Sequence, residues 1–285
     1  MAGVKFTNSL AKGLRVLESF SPASPKLKLQ EIAEKTQLPK VTAFRFIRTL
    51  MTLGYIARDE QSRTYCLTPR VLSLGFTVLS SIELREVALP HLEQLSAASN
   101  QTVNLGVMDH TDVVYIERIK RKQILNIELY VGSRVSIYST SIGRAILAFL
   151  PPANLQSLLP EILKNPEAAL HCGAGGEKLL ESLEAVRRLG YAMSDDIPFI
   201  PGVRTIAAPV FKAGGEVEGA INMPVFTQFV AREELTARYL PLLLETAGRI
   251  SAERGYRGVP SGAAADGARA GTAPRRRAGK RAPES

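Results

Sequence analysis

Apolar positions recur at helical spacing near the amino end. Leu10, Leu14, Leu17 and Phe20 share one face, which predicts a helix over Ser9–Phe20 with Ser9 as its N-cap. Ser21-Pro22-Ala23-Ser24-Pro25 breaks that helix. Leu29, Ile32 and Ala33 predict a short second helix over Leu29–Lys35, and Thr36-Gln37-Leu38 reads as a tight turn. Pro39 suits the first turn of a third helix, Pro39–Leu53, which Gly54 ends. Tyr55-Ile56-Ala57-Arg58 and Thr64-Tyr65-Cys66-Leu67 then read as strands joined by the polar hairpin Asp59-Glu60-Gln61-Ser62-Arg63. Three helices and a hairpin within residues 1–68 make a winged helix-turn-helix.

Residues 69–81 read as a linking helix, Pro69–Ser81, and Ile82–Asn100 as another, interrupted or kinked near Pro90. Thr102–Met108 and Val113–Ile119 alternate around Asp109-His110-Thr111-Asp112, a hairpin pattern, and a strand over Ile124–Val131 follows the basic turn Lys120-Arg121-Lys122. Helices resume at Ser141–Phe149, Pro152–Leu159 and Glu177–Leu189. Strands Arg204–Phe211 and Val217–Phe226 flank Ala213-Gly214-Gly215-Glu216, and a helix over Ala231–Arg254 closes the domain. Strands followed by and interleaved with helices predict an α+β domain over residues 82–255, an antiparallel sheet covered by helices. A helix joining two modules suits a dimer.

Charge changes this picture. The net +9 divides into +7 over residues 1–70, −3 over 71–255 and +5 over 256–285. A basic front on a mildly acidic middle points to a polyanion-binding module joined to something else. The tail 256–285, rich in Gly, Ala, Pro and Arg, cannot bury enough apolar surface to order itself, and its Arg275-Arg276-Arg277 and Lys280-Arg281 read as a solvated cluster. At 285 residues, 45% hydrophobic and 22% charged, the chain has no run near the ~20 apolar residues of a membrane span. Met1-Ala2-Gly3-Val4-Lys5 carries no apolar signal core, and two cysteines are too few for a disulfide framework, so a cytoplasmic protein is expected.

The third helix carries the chemistry of the front module. Ala43, Phe46, Ile47 and Leu50 form its packing stripe, while Lys40, Val41, Phe44, Arg45 and Arg48 face outward with Thr42 at the edge. No acidic residue lies between Pro39 and Leu53. Arginine donates to guanine edges, and Thr and Phe touch thymine methyls or phosphates, so this face suits a major groove. Arg58 and Arg63 in the wing would meet flanking phosphates or the minor groove. Double-stranded operator DNA is therefore the expected partner. The alternative is a small-molecule-sensing protein-interaction module whose winged helix does not bind DNA.

The chain resembles the IclR family of bacterial transcription regulators across residues 7–255. The resemblance rests on Ser9-Leu10-Ala11-Lys12-Gly13-Leu14-Arg15-Val16-Leu17, on Leu38-Pro39-Lys40-Val41-Thr42-Ala43-Phe44-Arg45 and on Leu53-Gly54-Tyr55-Ile56. In the second domain it rests on Val131-Gly132-Ser133-Arg134, Tyr138-Ser139-Thr140-Ser141-Ile142-Gly143-Arg144-Ala145 and Gly202-Val203-Arg204-Thr205-Ile206-Ala207-Ala208-Pro209-Val210. Leu67-Thr68-Pro69-Arg70-Val71-Leu72-Ser73-Leu74-Gly75, Leu79-Ser80-Ser81 and Ala220-Ile221-Asn222 are similar to the subgroup that governs aromatic-acid catabolism. The resemblance implies a GAF-like effector domain, homodimers that often pair into dimers of dimers, control of a catabolic operon by a small organic acid, and no enzymatic activity or cofactor. Carried onto matching positions, it implies a pocket lined by Leu125, Ile127, Leu129, Tyr138, Ser141, Ile142, Asp195 or Asp196, Thr205 and Asn222.

A physical case for that pocket stands beside the resemblance. The N–H groups of Ser141, Ile142 and Gly143 at a helix start can receive a carboxylate, with hydroxyls of Ser139, Thr140 and Thr205 as further donors. Asp195 would repel that carboxylate and is expected to accept from a ligand hydroxyl at the far end. The run Asp195-Asp196-Ile197-Pro198-Phe199-Ile200-Pro201 is one residue longer than the family pattern, which leaves open which aspartate faces the pocket. His171-Cys172-Gly173-Ala174-Gly175-Gly176 lacks the lysine and serine of a phosphate loop and reads as a flexible loop. His91 and His110 have no companions at metal-ligand spacing, Cys66 reads as packed, and Asp195-Asp196 has no nucleophile motif beside it.

Overall fold

The computed structural model describes residues 6–121, 129–195 and 200–258. The strand expected over Ile124–Val131 lies mostly outside the described residues, and 129–131 are not strand. Leu125, Ile127, Asp196 and the basic cluster of the tail also lie outside them. The chain divides into two units, Met1–Ile82 and Glu83–Ser285.

The first unit holds α1 (Asn8–Glu18), β1 (Lys26–Leu27), α2 (Leu29–Thr36), α3 (Lys40–Thr52), β2 (Ile56–Asp59), β3 (Thr64–Leu67) and α4 (Arg70–Ser81). α1 to α3 close on one core of Val16, Phe20, Ile32, Ala43, Ile47, Ile56 and Tyr65. The packing face of α1 differs from expectation, since Val16 is buried and Leu17 half-buried while Leu10 and Leu14 are exposed. Two boundaries differ from expectation. Thr7 takes the N-cap position of α1 in place of Ser9, and it caps without a side-chain hydrogen bond. Pro39 is the N-cap of α3, one position before the first turn. The two-residue β1 pairs with β3 and makes a three-stranded antiparallel wing in the order β1-β3-β2. No residue of α4 is buried, and Leu72, Leu74, Phe76 and Val78 are exposed.

The second unit is built on a six-stranded antiparallel sheet in the order β6-β5-β4-β9-β8-β7. These strands are β4 (Val103–Asp109), β5 (Asp112–Ile119), β6 (Arg134–Ser136), β7 (Ala192–Ser194), β8 (Val203–Phe211) and β9 (Val217–Phe226). One face carries α5 (Glu83–Ser99) and α11 (Leu240–Glu253). Pro90 does not break α5, which runs through it as one element. The expected closing helix is divided instead. A short α10 (Arg232–Glu234) leads into a π turn, Leu235–Tyr239, and Pro241, which has no N–H to give the preceding turn, sits in the first turn of α11.

The other face carries α6 (Ser141–Leu147), with α7 (Pro152–Leu163), α8 (Pro166–Cys172) and α9 (Glu177–Leu189) outside it. His171 and Cys172 therefore belong to α8, not to a loop, because Asn165 caps a helix that Pro166 opens. Two glycines let α6 approach closely. A Cβ at Gly143 would overlap the Ile137 carbonyl, and one at Gly106 would lie 2.5 Å from Val113 Cγ1 and 2.9 Å from Ile142 Cδ1. Among the described residues no helix is long and apolar enough to cross a membrane.

Candidate functional site

On α3, Ala43 and Ile47 are buried and Phe46 and Leu50 half-buried, which leaves Lys40, Val41, Phe44, Arg45 and Arg48 exposed and Thr42 at the edge. Among the described residues no carboxylate lies within 4.0 Å of Lys40, Arg45 or Arg48. In the wing, Arg63 is exposed at the hairpin with φ 53°, and Arg58 lies 3.7 Å from Glu60. Asp59 shapes that hairpin by accepting from the N–H groups of Gln61 and Ser62 while it pairs with Lys26 at 3.1 Å. Those bonds, Ser62 first and then Lys26, hold its carboxyl at about 2.

A second constellation lies on the α6 side of the large sheet. Ser141 Oγ and Thr205 Oγ1 are 2.7 Å apart and buried. Asn104 Nδ2 donates to Asn222 Oδ1 at 2.8 Å, and Arg118 donates to Asn104 Oδ1 at 3.1 Å. Register explains the gathering. Asn104 pairs with both Asn222 and Arg118, while Ala207 pairs with Asn222 two residues from Thr205, so all of them share one face. A bulge between Leu105 and Gly106 sets Gly106 opposite Tyr115 but Leu105 opposite Glu117. Tyr115 and Arg118 thus face α6, and Glu117 turns to the far side, where it pairs with Arg85 of α5 at 2.7 Å.

Burial lowers the pKa of the Arg118 guanidinium and pushes the Tyr115 phenol up to about 12. The face therefore offers one partly desolvated cation, two amides, a neutral phenol and two hydroxyls. Such a set has donors suited to a carboxylate and both donors and acceptors suited to a hydroxyl. Asn104, Tyr115 and Arg118 were not among the residues expected from sequence. The half-buried Leu129 packs with Ile200, Val203 and Phe226 beyond the Thr205 end of the site.

The remaining candidates sit differently. Thr140 Oγ1 accepts from the Gly143 N–H at 3.3 Å, so one of the three helix-start donors already has a partner. Ile142 is fully buried against Gly106. Both oxygens of Asp195 accept from guanidinium groups, Oδ1 from Arg204 and Oδ2 from Arg232, each at 2.5 Å. Arg204 chiefly, and Arg232 with it, lower its pKa, and each oxygen keeps a further lone pair with which to accept. Tyr138 lines a separate cleft, with its ring centroid 6.3 Å from that of His171. Among the described residues no three His, Cys, Asp or Glu side chains form a metal-binding group.

Comparison with known proteins adds the following. Residues 9–60 match the IclR helix-turn-helix domain, and residues 76–252 match the C-terminal domain of the bacterial transcriptional regulator IclR. The Pca regulon regulatory protein of Pseudomonas putida is 34% identical over 242 residues, covering 84% of this chain and 81% of that protein. The p-hydroxybenzoate hydroxylase transcriptional activator of Acinetobacter baylyi is 31% identical over 255 residues, covering 85% and 89%. A solved structure of a regulator from Rhodococcus sp. RHA1 superposes with a TM-score of 0.72 at 33% identity, covering 88% of this chain and 99% of that one.

Proposed function

The chain belongs to the IclR family of bacterial transcriptional regulators, and from that premise we propose that it grips double-stranded operator DNA as a homodimer and adjusts that grip to a hydroxylated aromatic acid. The observation that carries the DNA reading is the outer face of α3, where Lys40, Arg45 and Arg48 are exposed and, among the described residues, unopposed by carboxylates. In this reading α3 enters the major groove and Arg58 and Arg63 of the wing meet the flanking backbone. A dimer is supported by the exposed apolar side chains of α4 and by the twofold half-sites that such modules read.

The effector is read from the polar face beneath α6. Arg118 and Asn104 take the ligand carboxylate, where a cation already out of water stabilises an anion more strongly than a surface lysine does. Thr205, Ser141 and Asn222 take hydroxyls, and the similarity to the Acinetobacter baylyi activator supports a hydroxybenzoate. Coupling of about 1–3 kcal/mol between the two sites is enough for a switch.

The test is fluorescence anisotropy with the duplex upstream of the protein's own gene, titrated across salt concentrations. Affinity falling steeply with salt, together with clear preference over an unrelated duplex, supports the reading. Salt-insensitive or absent binding favours the protein-interaction module.

A further inference from the structure

The cleft that takes Tyr138 has a composition of its own. It measures 370 Å³ and lies between the segment leading into α6, α6 itself, α8, α9 and the end of β7, with Ser139, Arg144, His171, Lys178 and Ser182 on its walls. Among the described residues no Asp or Glu lines it, and none of Ser141, Thr205, Asn222 or Arg118 does. Its described lining is therefore distinct from the polar face beneath α6.

Two polar groups on its wall are unmatched. The Ser139 hydroxyl and the Arg144 Nε are buried without a hydrogen-bond partner. Among the described residues Arg144 donates one bond, from Nη2 to the Met193 carbonyl at 2.9 Å. Among the described residues no carboxylate lies within 4.0 Å of Arg144 or Lys178. Burial acts on the Arg144 guanidinium with nothing to counter it, and its pKa is pushed down. A buried donor left without a partner loses its hydration uncompensated, and a charged group loses most. A fold retains such an arrangement at little net cost when an anion completes it.

We propose that this cleft is a second anion site, which takes a compact polyanion such as a phosphate ester or a polycarboxylate between Arg144 and Lys178. Arg144 supplies the Nε–H, the Ser139 hydroxyl donates beside it, and Lys178 closes the exposed side as a mobile point charge. His171 and Tyr138 line the wall opposite. The Ser182 hydroxyl donates to the Leu179 carbonyl at 2.7 Å and remains an acceptor for a protonated ligand oxygen. The wall offers two cations, Arg144 and Lys178, more charge than a monocarboxylate needs.

The test is isothermal titration of the full chain with inorganic phosphate and, separately, with citrate, at ionic strength held constant with sodium chloride. The expected result is one saturable site per chain for at least one probe. Lys178→Gln, at an exposed position, and Arg144→Gln should each weaken it about tenfold or more, the loss expected for a charge-assisted bond. Ser139→Ala should weaken it less. Binding of phosphate alone identifies a phosphoryl ligand, and of citrate alone a polycarboxylate. Absence of saturable heat with both probes overturns the site, as does unchanged affinity in Lys178→Gln, which does not depend on how well Arg144→Gln folds.

Discussion

The hydroxyls of Ser141 and Thr205 lie 2.7 Å apart, buried, and tie the first residue of α6 to β8 across 64 positions of sequence. Each can exchange this bond for one to a ligand, so the pair is a latch between the helix and the sheet. Thr205→Val keeps the shape and removes the hydroxyl. It is expected to weaken 4-hydroxybenzoate binding by about tenfold, the worth of one net hydrogen bond in a buried site, while operator affinity stays at the wild-type value. Calorimetry with the acid and anisotropy with DNA measure the two separately.

Arg118 supplies the positive charge of the same face. Arg118→Leu should reduce affinity for 4-hydroxybenzoate by tenfold or more, since a charge-assisted bond contributes about 1.5–3 kcal/mol. Affinity for 4-hydroxybenzamide, which has no charge to pair, should change far less. Equal losses for the acid and the amide would assign Arg118 to holding Asn104 in place.

The contrast between Arg118 and the front module shows what a single sequence reveals. The helices α2 and α3 repeat apolar residues at a helical period, and the packing stripe and outward arginines of α3 follow from spacing alone, whereas on α1 spacing misplaces the face, with Leu10 and Leu14 exposed and Val16 buried. The α+β class and the long strands β4, β5, β8 and β9 are legible in the same way. Strands of two or three residues such as β1, β6 and β7 carry no period to read. Arg118 was hidden for a further reason. Strict alternation sets Tyr115 and Arg118 on opposite faces, and only the bulge opposite Leu105 and Gly106 turns both toward α6. The engagement of Asp195 by Arg204 and Arg232 depends on a tertiary approach of β8 and α10 that no local pattern records.

On α3, Arg45 is exposed, and the proposed reading sets it against a base edge. Arg45→Ala should cost about 1–3 kcal/mol of operator binding and relax base preference at one position in each half-site. A loss that is uniform across all duplexes, with a smaller salt slope, would make Arg45 a phosphate contact instead.

The wing carries an acid-sensitive element in Asp59. Its folded-state pKa of about 2 lies below the ordinary carboxylate value near 4, so the ionised side chain stabilises the folded state. That contribution is fully present above the unfolded value and is lost as pH falls from about 4 toward 2. The stability difference between wild type and Asp59→Asn should be constant above pH ~4 and shrink across that window. Urea unfolding of the two proteins at a series of pH values measures it, and a difference independent of pH would deny the side chain this role.

One titration reads both proposed sites. Labelled duplex from upstream of the protein's own gene is titrated at fixed salt with and without saturating 4-hydroxybenzoate, and anisotropy reports the bound fraction. Specific binding is expected, with an affinity that shifts by roughly 5–150-fold when the acid is present, the range of ordinary coupling energies. Superimposable curves with and without the acid, or affinity no greater than for an unrelated duplex, would contradict that expectation.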